Sequence, residues 1–402
     1  MKKYWKLIVF TCVTLLTLGT FYVKNTTYSE GLPQFIVQTL EGDKAIAESL
    51  TVYGQKYDGM FDMEALRVSE EGTDYLRDET YFKRLEGFYS LPQIDEWRSD
   101  YRSFMRGKDE YMGKFYEGKG RLAYASAIPS TMSWVTDTFD VHILDKTTKE
   151  EQHFQVQIPN DATYWDVDVQ YVYMIDNELT LITLNSYDVD EESNGTEVQR
   201  YTFDLGSEQL VEEETIYQAV TQMDNEVYED IALHTSDQDP DHVVITNHQI
   251  NHDYDEAVED EMVETTTISE LIKYNLKTNE SQTMDLSNEM DGVFATFDQE
   301  KLYFANVESQ NVQIIPFQYE NQVIEDAWEV DVPQPEDPFW ASRAVVQDDY
   351  LYFLNETYDG VGLPTIFVLD FKQEQLAFLG ELVVNDEDLE LDDIYFERLE
   401  IE

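Results

Sequence analysis

The sequence predicts an all-β fold: a β-propeller-like repeat of six or seven antiparallel blades, with a small helical insertion and an N-terminal transmembrane helix. Short strand patterns that alternate apolar and polar residues recur through residues 122–402, as in stacked antiparallel units. Aromatic residues make up 13% of the 402 residues, so the chain can bury a large core. One uncharged apolar run lies at the amino terminus. These three observations define the predicted architecture.

The amino-terminal run, Leu7–Val23, is long enough to cross a bilayer, which requires roughly 17–25 mostly apolar residues. Three lysines precede it, so the positive-inside rule predicts a cytoplasmic amino terminus. We expect a membrane anchor at residues 1–24, a linker at 25–34 and an extracytoplasmic body at 35–402. The chain is then a single-pass protein of the cell membrane.

A cleavable signal peptide is the main alternative for this run. Its cleavage site requires small residues, and Thr17-Leu18-Gly19 matches that pattern poorly. A lipoprotein would be acylated at Cys12, but Thr11 stands where a smaller residue is expected. Because Cys12 is the single cysteine, the body of the chain forms no intramolecular disulfide and depends on burial.

The charge of the chain is strongly acidic and unevenly distributed. The 84 acids and 26 bases give a net charge of −58. Residues 44–121 contain 13 bases and 16 acids, a net of −3, so most of the excess lies beyond them. Such a field repels polyanions, which argues against nucleic acid as a partner. Adaptation to salty or alkaline surroundings explains the excess without any ligand.

Five units of three short strands are visible after residue 122. Their first strands are 122–124, 171–173, 243–245, 302–304 and 351–353. Their second strands are 139–143, 198–203, 271–274, 312–314 and 366–369, and their third strands are 154–158, 210–211, 284–286, 323–324 and 376–379. Long acidic loops at 223–242 and 251–267 account for the two widest spacings. A β-sandwich or another stack of sheets is the alternative.

Residues 90–107 differ from the rest and predict an amphipathic helix. Its apolar positions follow a helical stripe, with Pro92 suited to the first turn and Gly107 to the residue beyond the end. These apolar positions are Ile94, Trp97, Tyr101, Phe104 and Met105. With its weak net charge, this segment indicates a helical, less acidic insertion at about 58–121.

Three sequence segments resemble a group of uncharacterised membrane-anchored ectodomain proteins of Gram-positive bacilli. They are Met1-Lys-Lys-Tyr-Trp-Lys-Leu, Gly19-Thr-Phe-Tyr22 and Tyr101-Arg-Ser-Phe-Met-Arg-Gly-Lys108. The resemblance covers the whole chain and implies the anchored topology. It implies no activity.

Two acidic segments have the alternating carboxylates of calcium loops, and their metal candidates are Asp188, Asp190, Asp237, Asp239 and Asp241. A regular EF-hand loop requires glycine at its sixth position and glutamate at its twelfth. Neither segment meets this requirement. An irregular calcium site is the hypothesis that remains, since hard oxygen ligands need no fixed motif. Aspartates spaced two positions apart also arise by chance in so acidic a chain.

Four histidines lie close together in the sequence: His234, His242, His248 and His252. Imidazoles mixed with carboxylates are typical zinc ligands. The simpler interpretation is that these histidines are exposed in loops.

The remaining candidates concern partners and catalysis. Arg98, Arg102, Arg106 and Lys108 form a basic stripe that would bind an anionic wall polymer or lipid headgroups, or else pair with the acidic body of the same chain. Nucleophile, dinucleotide and phosphate-loop motifs are absent from the sequence.

We therefore expect a non-enzymatic extracytoplasmic binding or interaction module without a cofactor. A cation or a basic partner is its natural complement. An exported hydrolase acting on glycans through loop carboxylates is one alternative. A regulator that contacts a neighbouring membrane protein through residues 7–23 is the other.

Overall fold

The structure is a computed structural model that describes Thr11, Thr14 and residues 32–401, with gaps in this last range. The gaps are 58–62, 79–90, 119, 130–135, 160–163, 191–192, 223–226, 237–238, 256–260, 285, 287–292, 309–310, 332–339, 348, 357–362 and 385–393. Apart from Thr11 and Thr14, the predicted anchor lies outside the described residues, as does most of the linker. Among the residues that are described, no helix has the length and apolar character to span a membrane.

Strands dominate the described chain, so the predicted all-β class is confirmed. In chain order they are β1 (Phe35–Gly42), β2 (Leu50–Tyr57), β3 (Met63–Ser69), β4 (Gly72–Tyr75), β5 (Phe115–Glu117), β6 (Arg121–Pro129), β7 (Thr136–Asp145), β8 (Glu151–Gln157), β9 (Tyr164–Ile175), β10 (Glu178–Asp190), β11 (Ser193–Asp204), β12 (Gln209–Gln222), β13 (Val227–His234), β14 (His242–Asp255), β15 (Glu261–Asn275), β16 (Glu280–Met284), β17 (Val293–Phe297), β18 (Lys301–Glu308), β19 (Asn311–Gln318), β20 (Val323–Ile324), β21 (Trp328–Asp331), β22 (Trp340–Gln347), β23 (Tyr350–Glu356), β24 (Thr365–Asp370), β25 (Gln375–Val384) and β26 (Ile394–Ile401). The helices are α1 (Lys44–Glu48), α2 (Pro92–Asp100) and α3 (Arg102–Met105).

The described strands form six sheets of four or five strands. Their orders are β26-β2-β3-β4, β5-β6-β7-β8, β12-β11-β10-β9, β13-β14-β15-β16, β17-β18-β19-β20 with β21 beside β19, and β1-β25-β24-β23-β22. Neighbouring strands whose register is described run antiparallel, for example Asp140 opposite Gln155 in the β7–β8 pair. Alternation buries one face of strands such as β7, where Phe139 and Val141 are 0% exposed, whereas β24 is buried on both faces.

The chain divides into two compact units. One comprises Met1–Tyr89, Val307–Gln313 and Trp328–Glu402, and the other Ser90–Asn306 and Ile314–Ala327. Within the first unit, β1 pairs with β25 and β26 pairs with β2. β1, from the beginning of the body, therefore joins the sheet of β22 to β25. β26, from its end, joins the sheet of β2 to β4. This exchange ties the ends of the body together without a disulfide.

The turns that follow the third strand of several sheets share one local device. An aspartate or asparagine oxygen accepts backbone N–H groups two or three residues ahead, and the residue four positions ahead has a positive φ of 51–61°. The pairs are Asp145 with Lys149, Asp204 with Glu208, Asn275 with Asn279, and Asp370 with Glu374. Asx side chains favour such turns because they replace the backbone acceptor.

The repeat is larger than the sequence pattern indicated. Each predicted unit lacks one strand. In four units the missing strand is the first of its sheet, such as β5 or β17, which carries a weak pattern, and in the unit at 171–211 it is β10. Residues 171–173 belong to β9, the first strand of their sheet, whereas the other predicted first strands lie on second strands. The strands are also longer than predicted. The segments 223–242 and 251–267, predicted as loops, lie largely in β13, β14 and β15, so that prediction was wrong.

The predicted helical insertion is also narrower than 58–121. Residues 63–75 contribute β3 and β4, whose Leu66 and Val68 are fully buried in the hydrophobic core. Residues 115–117 form β5. Among the described residues of this range, α-helix is confined to the two short helices within 92–105, and 3-10 turns lie at Leu76–Asp78 and Met112–Lys114. A change in charge density marked the wrong boundary, because surface charge does not determine secondary structure.

Candidate functional site

The helical segment covers one face of the β5–β8 sheet. Pro92 begins α2 and needs no N–H partner there, and Tyr101 interrupts the helix at φ −131° and ψ 45° before α3 begins. The predicted single helix over 90–107 is therefore broken in two. Its apolar stripe is nevertheless buried, and Trp97 and Phe104 are at most 2% exposed. They pack in one cluster with Phe115, Leu122, Tyr124 and Leu144 of the sheet.

In the predicted basic stripe, two side chains contact other residues of the chain and two are exposed. Arg98 is half-buried and donates to Glu110 at 2.7 Å. Lys108 donates to the carbonyl oxygen of Phe104, and its Nζ lies 4.2 Å from that ring centre. Burial lowers the pKa of Lys108. Arg102 and Arg106 are exposed and have no ion pair to another described residue. Partner binding by this stripe stays a prediction.

Two histidines and an aspartate meet on the same sheet, next to the helical segment. Asp140 and His142 are two residues apart on β7 and so point to one face, and His153 lies directly opposite His142 on β8. His142 Nε2 lies 2.9 Å from Asp140 Oδ2, and His153 Nε2 lies 2.8 Å from Asp140 Oδ1. The two imidazole rings stack at 4.2 Å with planes 12° apart. Both rings therefore direct a nitrogen at one carboxylate.

The surroundings of this histidine–aspartate group, hereafter the β7–β8 cluster, hold the carboxylate in place. Gln155 donates its amide to Asp140 Oδ1 at 2.8 Å. Burial alone would raise the pKa of Asp140, but hydrogen bonds from His153, Gln155 and His142 outweigh it and keep the pKa below its usual value. Burial lowers the pKa of His142, which Asp140 opposes. Asp140 is thus a fixed anion between two imidazoles.

The β7–β8 cluster has the donors of a metal site. One ligand atom from each of Asp140, His142 and His153 lies within 4.8 Å of the others. His153 is 50% exposed at its side chain, so solvent reaches the cluster. Sequence reasoning missed it, because the two histidines are eleven positions apart. The signal was present in the turn at Asp145–Lys149, which sets the hairpin register that makes positions 142 and 153 partners.

The predicted calcium ligands do not share one point in the described part of the chain. Asp239 is buried, with Oδ1 2.7 Å from His242 Nδ1 and Oδ2 2.7 Å from Lys273 Nζ. Asp241 pairs with Lys277 at 2.6 Å. Asp237 lies outside the described residues. Asp188 and Asp190 are exposed near the β10–β11 turn, where they oppose Asn194 and Ser193. Calcium binding stays a prediction there.

Asp239, His242 and Lys273 form a second polar cluster, hereafter the β14–β15 cluster. Lys273 is 4% exposed and lies 3.5 Å from the centre of the Tyr319 ring. Its ion pair with Asp239 is close, although the two groups lack regular hydrogen-bond geometry. Burial lowers the pKa of Lys273 and Asp239 opposes the change. His242 Nε2 contacts the Asn275 amide at 2.9 Å, so both of its ring nitrogens are occupied.

Two further predicted histidines share a hydroxyl rather than a carboxylate. His234 Nε2 and His248 Nε2 lie 2.9 and 2.8 Å from Thr246 Oγ1. The His234 ring packs 4.4 Å from that of Phe294. Burial lowers the pKa of His234 to about 4 and also lowers that of His248. The interpretation of these two histidines as exposed loop residues was wrong, since they lie in strands.

No family model matches the chain, and no curated protein matches it. Among solved structures, the chain is similar to the uncharacterized protein lmo1340 from Listeria monocytogenes, with 8% identity and a TM-score of 0.33. This match covers 66% of this chain and 66% of that one. A neuraminidase-like protein from A/bat/Guatemala/164/2009 shares 8% identity at a TM-score of 0.29, over 67% of this chain and 71% of that one. The β-propeller domain of the Trilobed protease from Pyrococcus furiosus shares 10% identity at a TM-score of 0.26, over 80% and 79%. At such low identities and TM-scores, no activity transfers from these proteins to this chain.

Proposed function

We propose that this chain is a membrane-anchored extracytoplasmic binding module for cationic ligands, whose six sheets are the blades of a β-propeller-like body. It acts by binding rather than by catalysis. The apolar run at 7–23 supports the anchor, and the recurring sheets of four or five strands support the propeller. Loops and hairpins on such a rigid scaffold are suited to binding.

One observation carries the preference for cationic ligands. The described lysines and arginines are largely engaged by acids of the same chain, as in Lys44 with Glu70, Arg67 with Asp74, Lys301 with Glu325 and Lys372 with Asp349. With 84 acids against 26 bases, most carboxylates have no basic residue left to pair with. The surface that a partner meets is therefore anionic, and its field concentrates cations and speeds their association.

The membrane and ligand parts of the proposal need separate tests. For the anchor, we expect the full chain in the membrane fraction of cells, with its body cleaved by protease added to intact cells. Recovery of the chain in the soluble cytoplasmic fraction, or protection from external protease, contradicts this part. A variant without residues 1–24 is the control for the fractionation.

For the ligand, the purified full chain in detergent is titrated with an oligolysine peptide and, as the matched control, with an oligoglutamate of equal length. We expect binding of oligolysine alone. Because exposed charges are screened by salt, its affinity should fall steeply as ionic strength rises through about 0.15 M. Equal binding of the two peptides, or no binding of oligolysine at low salt, contradicts the preference for cations.

A further inference from the structure

We infer that Asp140, His142 and His153 form a binding site for a divalent transition-metal ion, with zinc the ion best suited to their donors. The inference names one cationic ligand and in that respect rests on the proposed function. The site is none of the calcium candidates that the sequence suggested. It lies on the β7–β8 hairpin, where regular strand pairing positions each of its three side chains.

The distances fit a small ion with few ligands. Tetrahedral zinc at about 2.0–2.1 Å from nitrogen and oxygen places its ligand atoms roughly 3.3 Å from one another. The nitrogens of His142 and His153 already lie 2.9 and 2.8 Å from the oxygens of Asp140. All three ligand atoms lie within 4.8 Å of one another, so a shift of roughly 1.5 Å at most brings them to that spacing. The ion requires each neutral imidazole in the tautomer with its proton on Nδ1. A proton on Nε2 leaves to solvent while Nδ1 takes one up, so the charge of the ring is unchanged.

The donor types select the class of metal. Calcium and magnesium prefer cages of oxygen ligands, and two imidazoles are poor ligands for both. Two histidines and one carboxylate suit zinc and its neighbours in the first transition row. Three protein ligands leave the fourth tetrahedral position for water or a ligand atom, and the half-exposed His153 leaves that position open to solvent.

The support around the three ligands is that of a built site. Gln155 lies opposite Asp140 on β8 and donates to its Oδ1, which fixes the orientation of the carboxylate. His142 contacts the rings of Phe104 and Tyr124, whose centres are 6.5 and 6.2 Å from its own. Such supporting contacts orient metal ligands and commonly affect metal affinity 10–100-fold.

One neighbour opposes the ion. The positive charge of Lys108 acts on both Asp140 and His142, and it repels a metal ion bound at the cluster. Its Nζ is held by Phe104, so it does not occupy the position between the ligands. Lys108 therefore tunes the affinity of the site without filling it. Its removal should tighten metal binding.

The experiment is a titration of the metal-free full chain in detergent with zinc, and with cobalt as a spectroscopic probe. We expect one tight zinc equivalent and a visible cobalt spectrum of tetrahedral type. His153→Gln should weaken this equivalent by roughly 100-fold and abolish the spectrum. Because His153 is half-exposed, the variant should keep its fold, which circular dichroism checks. Gln155→Ala should weaken it roughly tenfold, and Lys108→Met should strengthen it.

The matched control is His242→Asn, which removes a histidine whose ring nitrogens are already occupied by Asp239 and Asn275. It should leave the tight zinc equivalent unchanged. Equal zinc affinity in the wild type and the folded His153→Gln variant overturns the inference, as does loss of the tight equivalent in His242→Asn alone. Failure of oligolysine binding with the zinc result intact overturns the proposed function and leaves the metal site standing.

Discussion

The β7–β8 and β14–β15 clusters contain the same pair of residue types and differ in one neighbour. In the first, Asp140 receives two imidazoles and is reached by solvent. In the second, Asp239 receives one imidazole and the ammonium of Lys273, and it is 5% exposed at its side chain. A lysine inside the cluster supplies the cation that the carboxylate requires. An Asp–His pair is therefore a candidate metal site only where no ammonium of the chain pairs directly with the carboxylate.

We call the β14–β15 cluster the closed cluster, because Lys273 already pairs with its carboxylate, and the β7–β8 cluster the open cluster. The largest expected effect comes from breaking the closed cluster. Lys273→Met keeps most of the apolar stem under Tyr319 but leaves Asp239 buried without its ammonium partner. Breaking a buried pair in this way costs about 3–5 kcal/mol of unfolding free energy. Denaturant unfolding measures the loss. The double variant Asp239→Asn/Lys273→Met should recover a large part of it, and a double variant no more stable than Lys273→Met would contradict this account.

The second effect is a pH dependence in the sheet of the closed cluster. The folded pKa of His234 is about 4, below its ordinary value of 6.5, because the ring is buried. Between these pH values the unfolded chain binds a proton that the folded chain does not, so stability is full above pH 6.5 and falls as the pH decreases toward 4. The loss reaches on the order of 3 kcal/mol. His234→Phe should flatten this part of the stability profile.

The matched control for the pH profile is His153→Gln, which removes a half-exposed histidine from the open cluster. Unfolding free energies of the three proteins are measured from pH 7.5 to 4.5. The unfolding free energies of the wild type and of His153→Gln should fall with the same slope as the pH decreases, because both proteins keep His234. Carboxylate titration contributes equally to all three proteins. A His234→Phe profile parallel to that of the wild type would show that His234 carries no such linkage.

The third effect converts the open cluster into a closed one. Gln155 is exposed and lies opposite Asp140, so Gln155→Lys places an ammonium where Lys273 stands in the other cluster. Zinc affinity should fall roughly 10–100-fold, since the new cation competes for the carboxylate. Stability should change by less than about 1 kcal/mol, because an exposed pair contributes little. Gln155→Met is the uncharged control. It loses the same hydrogen bond to Asp140 and should show only the roughly tenfold decrease expected for Gln155→Ala. Undiminished zinc binding in Gln155→Lys would break the comparison.

The smallest effect concerns the turn beside the closed cluster. Asn279 has a φ of 59°, and the preceding Asn275 accepts the N–H groups of Lys277 and Thr278. Asparagine tolerates this left-handed conformation better than alanine does, so Asn279→Ala should cost roughly 1 kcal/mol. Asn279→Gly should stay within a few tenths of the wild type. A thermal unfolding series checks the order, and a more stable Asn279→Ala than Asn279→Gly would contradict it.

Local patterns in the sequence predicted the strands far better than the site. Alternation of the kind seen at Phe139 and Val141 identified residues 139–143 as a strand, and they lie in β7. Proximity in the sequence then drew attention to the histidines from 234 to 252. The pair that converges on one carboxylate, His142 and His153, is dispersed in sequence and joined only by the hairpin. Register, rather than proximity, was the missing information.

The sequence by itself determined the class of fold, the acidic surface and the turn chemistry, because each depends on composition or on contacts between residues a few positions apart. Tertiary structure decided which charges meet. Lys273 reaches Asp239 through the pairing of β14 with β15, and β7–β8 pairing gives Asp140 two imidazoles but no ammonium. These outcomes depend on strand register and on the burial that fixes each side chain, and both are non-local properties of the folded chain.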